Sequence, residues 1–145
     1  MATVFTRIID GELPGRFVWR DPDVVAFLSI NPLRTGHTLV VPRVEVDHWI
    51  DLDTATAQRC TAVARVIGRA QHRAFGSERV GLIVAGFEVP HAHLHVFPTD
   101  TMAEFDFARA ARDPDPAVLD AAAEAIRTEL RAMGVDEVPS PDGRG

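Results

Sequence analysis

Three of the chain's six histidines stand at alternate positions, His91, His93 and His95, with Ala92 and Leu94 between them and Val96-Phe97-Pro98 behind. On a β-strand this spacing throws all three imidazoles onto one face, with neighbouring rings about 6.5–7 Å apart along the strand, and turns Ala92, Leu94 and Val96 toward a core. Imidazole is an acid, base, nucleophile or metal ligand near neutral pH. An exposed polar strand face with no chemistry to do would more naturally carry Thr, Lys or Arg.

Two chemistries use such a row. In the first, imidazoles converge on zinc or iron. A strand alone serves a tetrahedral shell poorly, because the outer histidines lie too far apart for bonds of about 2.0 Å, so a ligand such as Glu88 or His37 must join from elsewhere. In the second, one imidazole attacks phosphorus while its neighbours donate to charged oxygens. The residues alone leave both open.

The elements that must hold the row are legible around it. Thr3–Ile9 reads as a helical turn ended by Asp10-Gly11. Phe17–Arg20 and Val24–Ser29 read as strands about an Asp21-Pro22-Asp23 turn, and His37–Val41 as a third strand that puts His37, Leu39 and Val41 on one face. From Asp53 to Phe75 the period becomes helical: Ala57, Cys60, Ala64 and Ile67 form a stripe, and Gly76 suits the end. Val80–Ala85 and His91–Phe97 complete five strands, and the short segment between the last two favours antiparallel pairing. Beyond Pro98, Phe105 and Phe107 are candidate anchors onto the core. Asp115-Pro116 opens a second long helix with the stripe Leu119, Ala122, Ala123, Ile126, Leu130 and Met133. The expected class is α+β: a five-stranded, mainly antiparallel sheet with one long helix and an added C-terminal helix. The expected division is a catalytic core over 1–98, an extension over 99–134 packed on it, and a flexible tail over 135–145.

Composition narrows the partners. The net charge is −6, residues 1–99 are charge-balanced, and residues 100–145 carry the acidic excess. No basic footprint for nucleic acid is visible. No segment reads as a membrane span or a secretory signal. The single cysteine, Cys60, forms no internal disulfide and reads as a buried thiol, so a cytoplasmic setting is expected. With no lysine in the chain, Schiff-base chemistry is excluded.

His91-Ala-His93-Leu-His95-Val-Phe resembles the signature of the histidine triad (HIT) superfamily, in particular its Hint-like branch. Further blocks share the resemblance: Phe5-Thr-Arg-Ile-Ile-Asp-Gly-Glu-Leu-Pro14, Val25-Ala-Phe-Leu-Ser-Ile-Asn-Pro32, Gly36-His-Thr-Leu-Val-Val-Pro42 and Ala85-Gly-Phe-Glu-Val-Pro-His91. It spans about residues 3–98. What it implies is a homodimeric nucleotide hydrolase or transferase that cleaves at an α-phosphate without a cofactor. His93 would be the nucleophile, His95 would serve phosphate and leaving group, and His91 and His37 would complete the catalytic set. Ser29, Asn31, Gly86, Phe87 and Glu88 fall at substrate-binding positions, the substrate class being a purine nucleotide or nucleoside phosphoramidate.

This chain also departs from the pattern. Thr3, Thr6 and Glu45 stand where many bacterial relatives place ligands of a structural zinc, so no metal is expected. Ser29 replaces a ribose-binding Asp, and Phe87 replaces a Gln. A nucleotide- or partner-binding protein with little turnover and a metal-dependent hydrolase are the alternatives.

Overall fold

The computed structural model describes residues 2–141. Thr3 opens the first helix, α1 (Val4–Ile9), by accepting the Thr6 N–H on its hydroxyl at 3.1 Å. Two strands follow, β1 (Phe17–Arg20) and β2 (Val24–Leu28). Their turn is tied by buried Asp21, whose carboxylate accepts from the backbone of Asp23 and Val24, from Trp19 Nε1 and from Arg59. Burial pushes that carboxyl up, but the hydrogen bonds outweigh it and hold it below the usual range. Then come β3 (Thr38–Pro42), α2 (Thr54–Phe75), β4 (Arg79–Ile83), β5 (Leu94–Thr99) and α3 (Pro116–Ala132). Gly76 ends α2 at φ +64°, the left-handed conformation expected of it.

The strands form one sheet in the order β1-β2-β3-β5-β4, with every pairing antiparallel. The register sets Leu39 beside Phe27 on one side and His95 on the other. One face of the sheet carries the larger core, where Val40, Leu94 and Val96 meet Val63 and Ile67 of α2 and Ile126 and Leu130 of α3. The other face carries Phe17, Phe27, Leu39 and Val41 under Phe5 and Ile9 of α1. The histidines emerge on this second, thinner face.

Two expectations need correction, on the start of β5 and on the tail. The strand expected over His91–Phe97 begins only at Leu94. Pro90 has no N–H, and the Ala92 N–H pairs with the Val46 carbonyl of a loop at 2.7 Å, so His91 and His93 sit in the approach to β5. Between those two regions, the stripe from Leu119 to Met133 packs α3 on α2 and β1. Buried Arg127 of α3 fastens it there by donating Nε–H to the Phe17 carbonyl at 2.8 Å. The segment expected to be flexible from 135 instead docks: Val135 and Val138 pack on the core, and the Glu137 carbonyl accepts from Arg20 N–H at 2.8 Å. Residues 142–145 of that tail lie outside the described residues. Among the described residues no helix is long and apolar enough to cross a membrane.

Ile126 is fully buried between α2 and the sheet. Ile126→Ala is expected to cost about 2–5 kcal/mol in urea unfolding. It should do so within a single transition, since α3 shares its core with α2 and the sheet; a separate early transition would mean that α3 unfolds independently.

Candidate active site

Four histidines from two segments of the chain meet on the thinner face. His37 precedes β3, His91 and His93 precede β5, and His95 lies within it. All four are buried. From the opposite face, Gln71 of α2 donates its amide to the carbonyls of Gly36 and Val96, both at 2.9 Å. That side chain locks together the two segments that carry His37 and His95.

The hydrogen bonds decide which ring nitrogen holds each proton. His93 Nδ1 lies 2.7 Å from the His91 carbonyl. A carbonyl only accepts, so Nδ1 carries the hydrogen and Nε2 keeps its lone pair. His37 Nδ1 accepts the Leu33 N–H at 3.0 Å, which places hydrogen on Nε2, 3.0 Å from His95 Nδ1. His95 Nδ1 therefore accepts, and its Nε2 carries the hydrogen. His91 donates from Nε2 to the Pro42 carbonyl at 2.7 Å and accepts at Nδ1 from the Thr3 hydroxyl at 2.8 Å. The result is one unprotonated Nε2, on His93, beside one Nε2–H, on His95, with ring centroids 4.8 Å apart.

Aromatic rings wall this pair. Phe5 meets His93 edge-on at 4.9 Å, and Phe107, from the extension, lies against His95 at 4.8 Å. Burial pushes His37 down to about 3 and His95 to about 4, with neighbouring imidazoles adding to the effect. Burial also lowers His93. His37, His93 and His95 are thus neutral at pH 7, with desolvation the largest cause in each.

His37, His93 and His95 line a cleft of about 1060 Å³. Ser29, Asn31 and Glu88 line it too. His91 does not; both of its nitrogens are engaged, and it orients the site from behind. Gly86 and Phe87 also lie off the cleft wall, and the Phe87 ring is 96% exposed. Sequence reasoning missed Phe5 and Gln71 as site residues and took Phe107 for a core anchor. The far wall of the cleft comes from residues 110–113 of the extension and from Asp120, which pairs with Arg16 at 2.7 Å. The Ala111 N–H, bonded to the Pro32 carbonyl at 2.9 Å, seats that wall.

The positions that the resemblance assigns to a structural zinc do converge: Thr3, Thr6 and Glu45 gather beside His91. They do so as hydrogen-bond partners of one another and of His91. Two hydroxyls, one carboxylate and an imidazole whose nitrogens are both engaged do not fit a zinc ion. Of the imidazole nitrogens that line the cleft among the described residues, the two Nε2 atoms of His93 and His95 face it, and one of them bears hydrogen. Among the described residues no group of three or more His, Cys, Asp or Glu is arranged to hold a metal. Away from the cleft, Trp19 is core, and His48 caps a short turn. Cys60 is fully buried, and burial pushes its thiol up to about 11.

Comparison with known proteins agrees with this constellation. The HIT domain model matches residues 10–102. An uncharacterized HIT-like protein of Borreliella burgdorferi is 37% identical over 113 residues, covering 73% of this chain and 81% of that one. The adenylylsulfatase HINT3 of Arabidopsis thaliana is 33% identical over 104 residues, covering 66% of this chain and 51% of that one. The crystal structure of a zinc-bound histidine triad family protein from Mycobacterium smegmatis superposes with a TM-score of 0.80 at 26% identity, covering 92% and 96% of the two chains. The chain belongs to the HIT family.

The site has a pH signature. Histidines whose pKa falls from the usual 6.5 to about 3 and about 4 bind fewer protons folded than unfolded across that interval. Stability therefore rises with pH through it and is fully present above 6.5. Between pH 6.5 and 4.5 the carboxylates lowered by folding, such as Glu104, have yet to contribute. Urea midpoints are expected to fall steadily as pH drops through that window. A flat profile there would mean that the buried histidines titrate as in the unfolded chain.

Proposed function

We propose that this HIT protein is a nucleotide hydrolase or nucleotidyl transferase of the Hint-like kind, cleaving a purine nucleotide conjugate at its α-phosphate through a covalent bond to His93. The observation that carries this reading is the complementary pair at the cleft floor: a free lone pair on His93 Nε2 beside a hydrogen on His95 Nε2. His93 Nε2 attacks phosphorus while the bond to the leaving group breaks. His95 Nε2–H donates a hydrogen bond to the departing atom, which takes a proton from solvent as it leaves. Water then attacks phosphorus, the bond to His93 breaks, and the proton that this water loses returns to solvent. The fixed tautomers mean that neither ring must rearrange before attack.

The nucleoside would lie toward Ser29 and Asn31. Ser29 offers a neutral hydroxyl where a carboxylate would hold a ribose more strongly. Nucleoside phosphoramidates are the substrate class of first choice. Adenylyl sulfate, which the name of the Arabidopsis relative indicates for that protein, is a second α-phosphate conjugate to assay.

The homodimer belongs to the same reading. β4 is an edge strand, and half-exposed Leu82 borders a second cleft of about 740 Å³ lined by α2, β4 and Met133. An unpaired edge beside an apolar groove is a surface that a second copy can cover. Sedimentation at micromolar concentration should give a dimer, which Leu82→Glu should dissociate; a monomeric wild type would overturn this assignment.

The catalytic test uses a panel of adenosine phosphoramidates and adenylyl sulfate. His93→Ala is expected to reduce turnover by about 10⁴-fold or more while nucleotide binding persists. His95→Ala should cost less, about 10²-fold, because it removes one donor. Rapid quench with mass measurement should find a nucleotidyl adduct on His93. Near-normal turnover by His93→Ala would overturn the mechanism. Binding without cleavage by the wild type would instead favour a nucleotide-binding protein.

A further inference from the structure

The hydrogen bonds that reach the nucleophile from the protein surface form one continuous chain. It begins at Glu45, an exposed residue of the loop after β3. Glu45 Oε1 accepts the Thr3 N–H at 2.7 Å and the Thr6 hydroxyl at 2.8 Å. The Thr3 hydroxyl, held in place by the Thr6 N–H, lies 2.8 Å from His91 Nδ1. Because His91 gives its Nε2–H to the Pro42 carbonyl, Nδ1 is an acceptor, and the Thr3 hydroxyl must be its donor. The His91 carbonyl then accepts the His93 Nδ1–H at 2.7 Å. His91 is fully buried, so no water is at hand to replace a lost partner.

We infer that Thr3 and Glu45 are positioning residues for the nucleophile. The Pro42 carbonyl fixes the tautomer of His91, the Thr3 hydroxyl donates to the remaining nitrogen and holds the ring plane, Glu45 fixes Thr3, and His91 thereby holds its own carbonyl where it keeps hydrogen on His93 Nδ1 and the lone pair on Nε2. This rests on the nucleotidyl-transfer reading for its catalytic consequence, but the tautomer assignments stand apart from it. The groups facing His91 from neighbouring elements are the Pro42 carbonyl, Thr3, the edge of Phe5 and, through Thr3, Glu45. Thr3 is the one hydroxyl donor among them. Its replacement by an isosteric methyl removes that donor and little else besides the cap of α1.

The test compares Thr3→Val, Thr3→Ser and Glu45→Ala by three measurements. These are ¹⁵N NMR of histidine-labelled protein, steady-state kinetics on an adenosine phosphoramidate, and urea unfolding. In the wild type His91 should read as the Nε2–H tautomer and His93 as the Nδ1–H tautomer. Thr3→Val should shift the His91 Nδ1 and His93 Nδ1–H resonances and lower kcat about tenfold with KM unchanged. Thr3→Ser, which keeps donor and acceptor, should restore the resonances and kcat alike. Glu45→Ala should move the same resonances in the same direction by less, and being a surface truncation it gives an answer even if Thr3→Val does not fold. Wild-type histidine resonances in both Thr3→Val and Glu45→Ala would overturn the inference. So would a Thr3→Ser variant that fails to restore them. A wild type that cleaves no conjugate, with the resonances responding as described, would overturn the nucleotidyl-transfer reading and leave the positioning chain standing.

Discussion

The chemistry available in this cleft depends on a single contact, the 2.7 Å hydrogen bond from His93 Nδ1–H to the carbonyl of His91. Imidazole has two nitrogens of similar basicity, and only the one without hydrogen can attack. In water the two tautomers interconvert freely. Here the backbone oxygen two residues back settles the matter, because a carbonyl has no hydrogen to offer. Everything around it serves to keep that oxygen in place. Pro90 stops the strand from starting early, the Val46 carbonyl holds Ala92, and the His91 ring is pinned to Pro42. A fully formed strand through 91–93 would send backbone groups sideways into the sheet ladder, and the carbonyl would be lost to a neighbour.

The second ring is governed by a different device. His37 relays the direction of the Leu33 N–H across its own ring, so that His95 must present hydrogen to the cleft. This relay works only if the segment before β3 and strand β5 keep a fixed separation. Gln71 enforces that separation by bonding a carbonyl on each. The cost is visible in the same side chain: its Oε1 is buried without a partner. An orphaned acceptor costs about 1–3 kcal/mol. Turning the amide over would face that oxygen toward two carbonyls and cost more. The long helix is therefore tied to the catalytic face by a polar clamp through the sheet as well as by its apolar stripe.

The sequence showed the sheet, both long helices and the histidine row plainly, because each rests on a periodicity or a turn signal. Alternation of Ala92, Leu94 and Val96 with the histidines gives the facing correctly even where the strand itself begins late. What stayed hidden depended on the third dimension. Phe5 and Phe107 lie far apart in the chain, and nothing in their local pattern says that their rings meet His93 and His95. Gln71 falls on the stripe of α2, and no local pattern says that it will bond two carbonyls. Nor does any local pattern show Arg127 buried against β1. His91 was expected to face phosphate with its neighbours; the row looks uniform in sequence, and only the hydrogen bonds separate the residue that aims from the residues that react.

Phe107 and the Ala110–Asp113 wall come from the segment after β5, which the Ala111 N–H fastens to the Pro32 carbonyl. The Phe107 ring against His95 takes part in the desolvation that keeps that imidazole neutral. An excursion that lifts this one segment while the sheet stays intact returns water to His95 and lets its ring take up a proton at a pH where the closed cleft keeps it neutral. The protonation state of the triad is therefore coupled to the local opening of a segment that contributes no histidine to it.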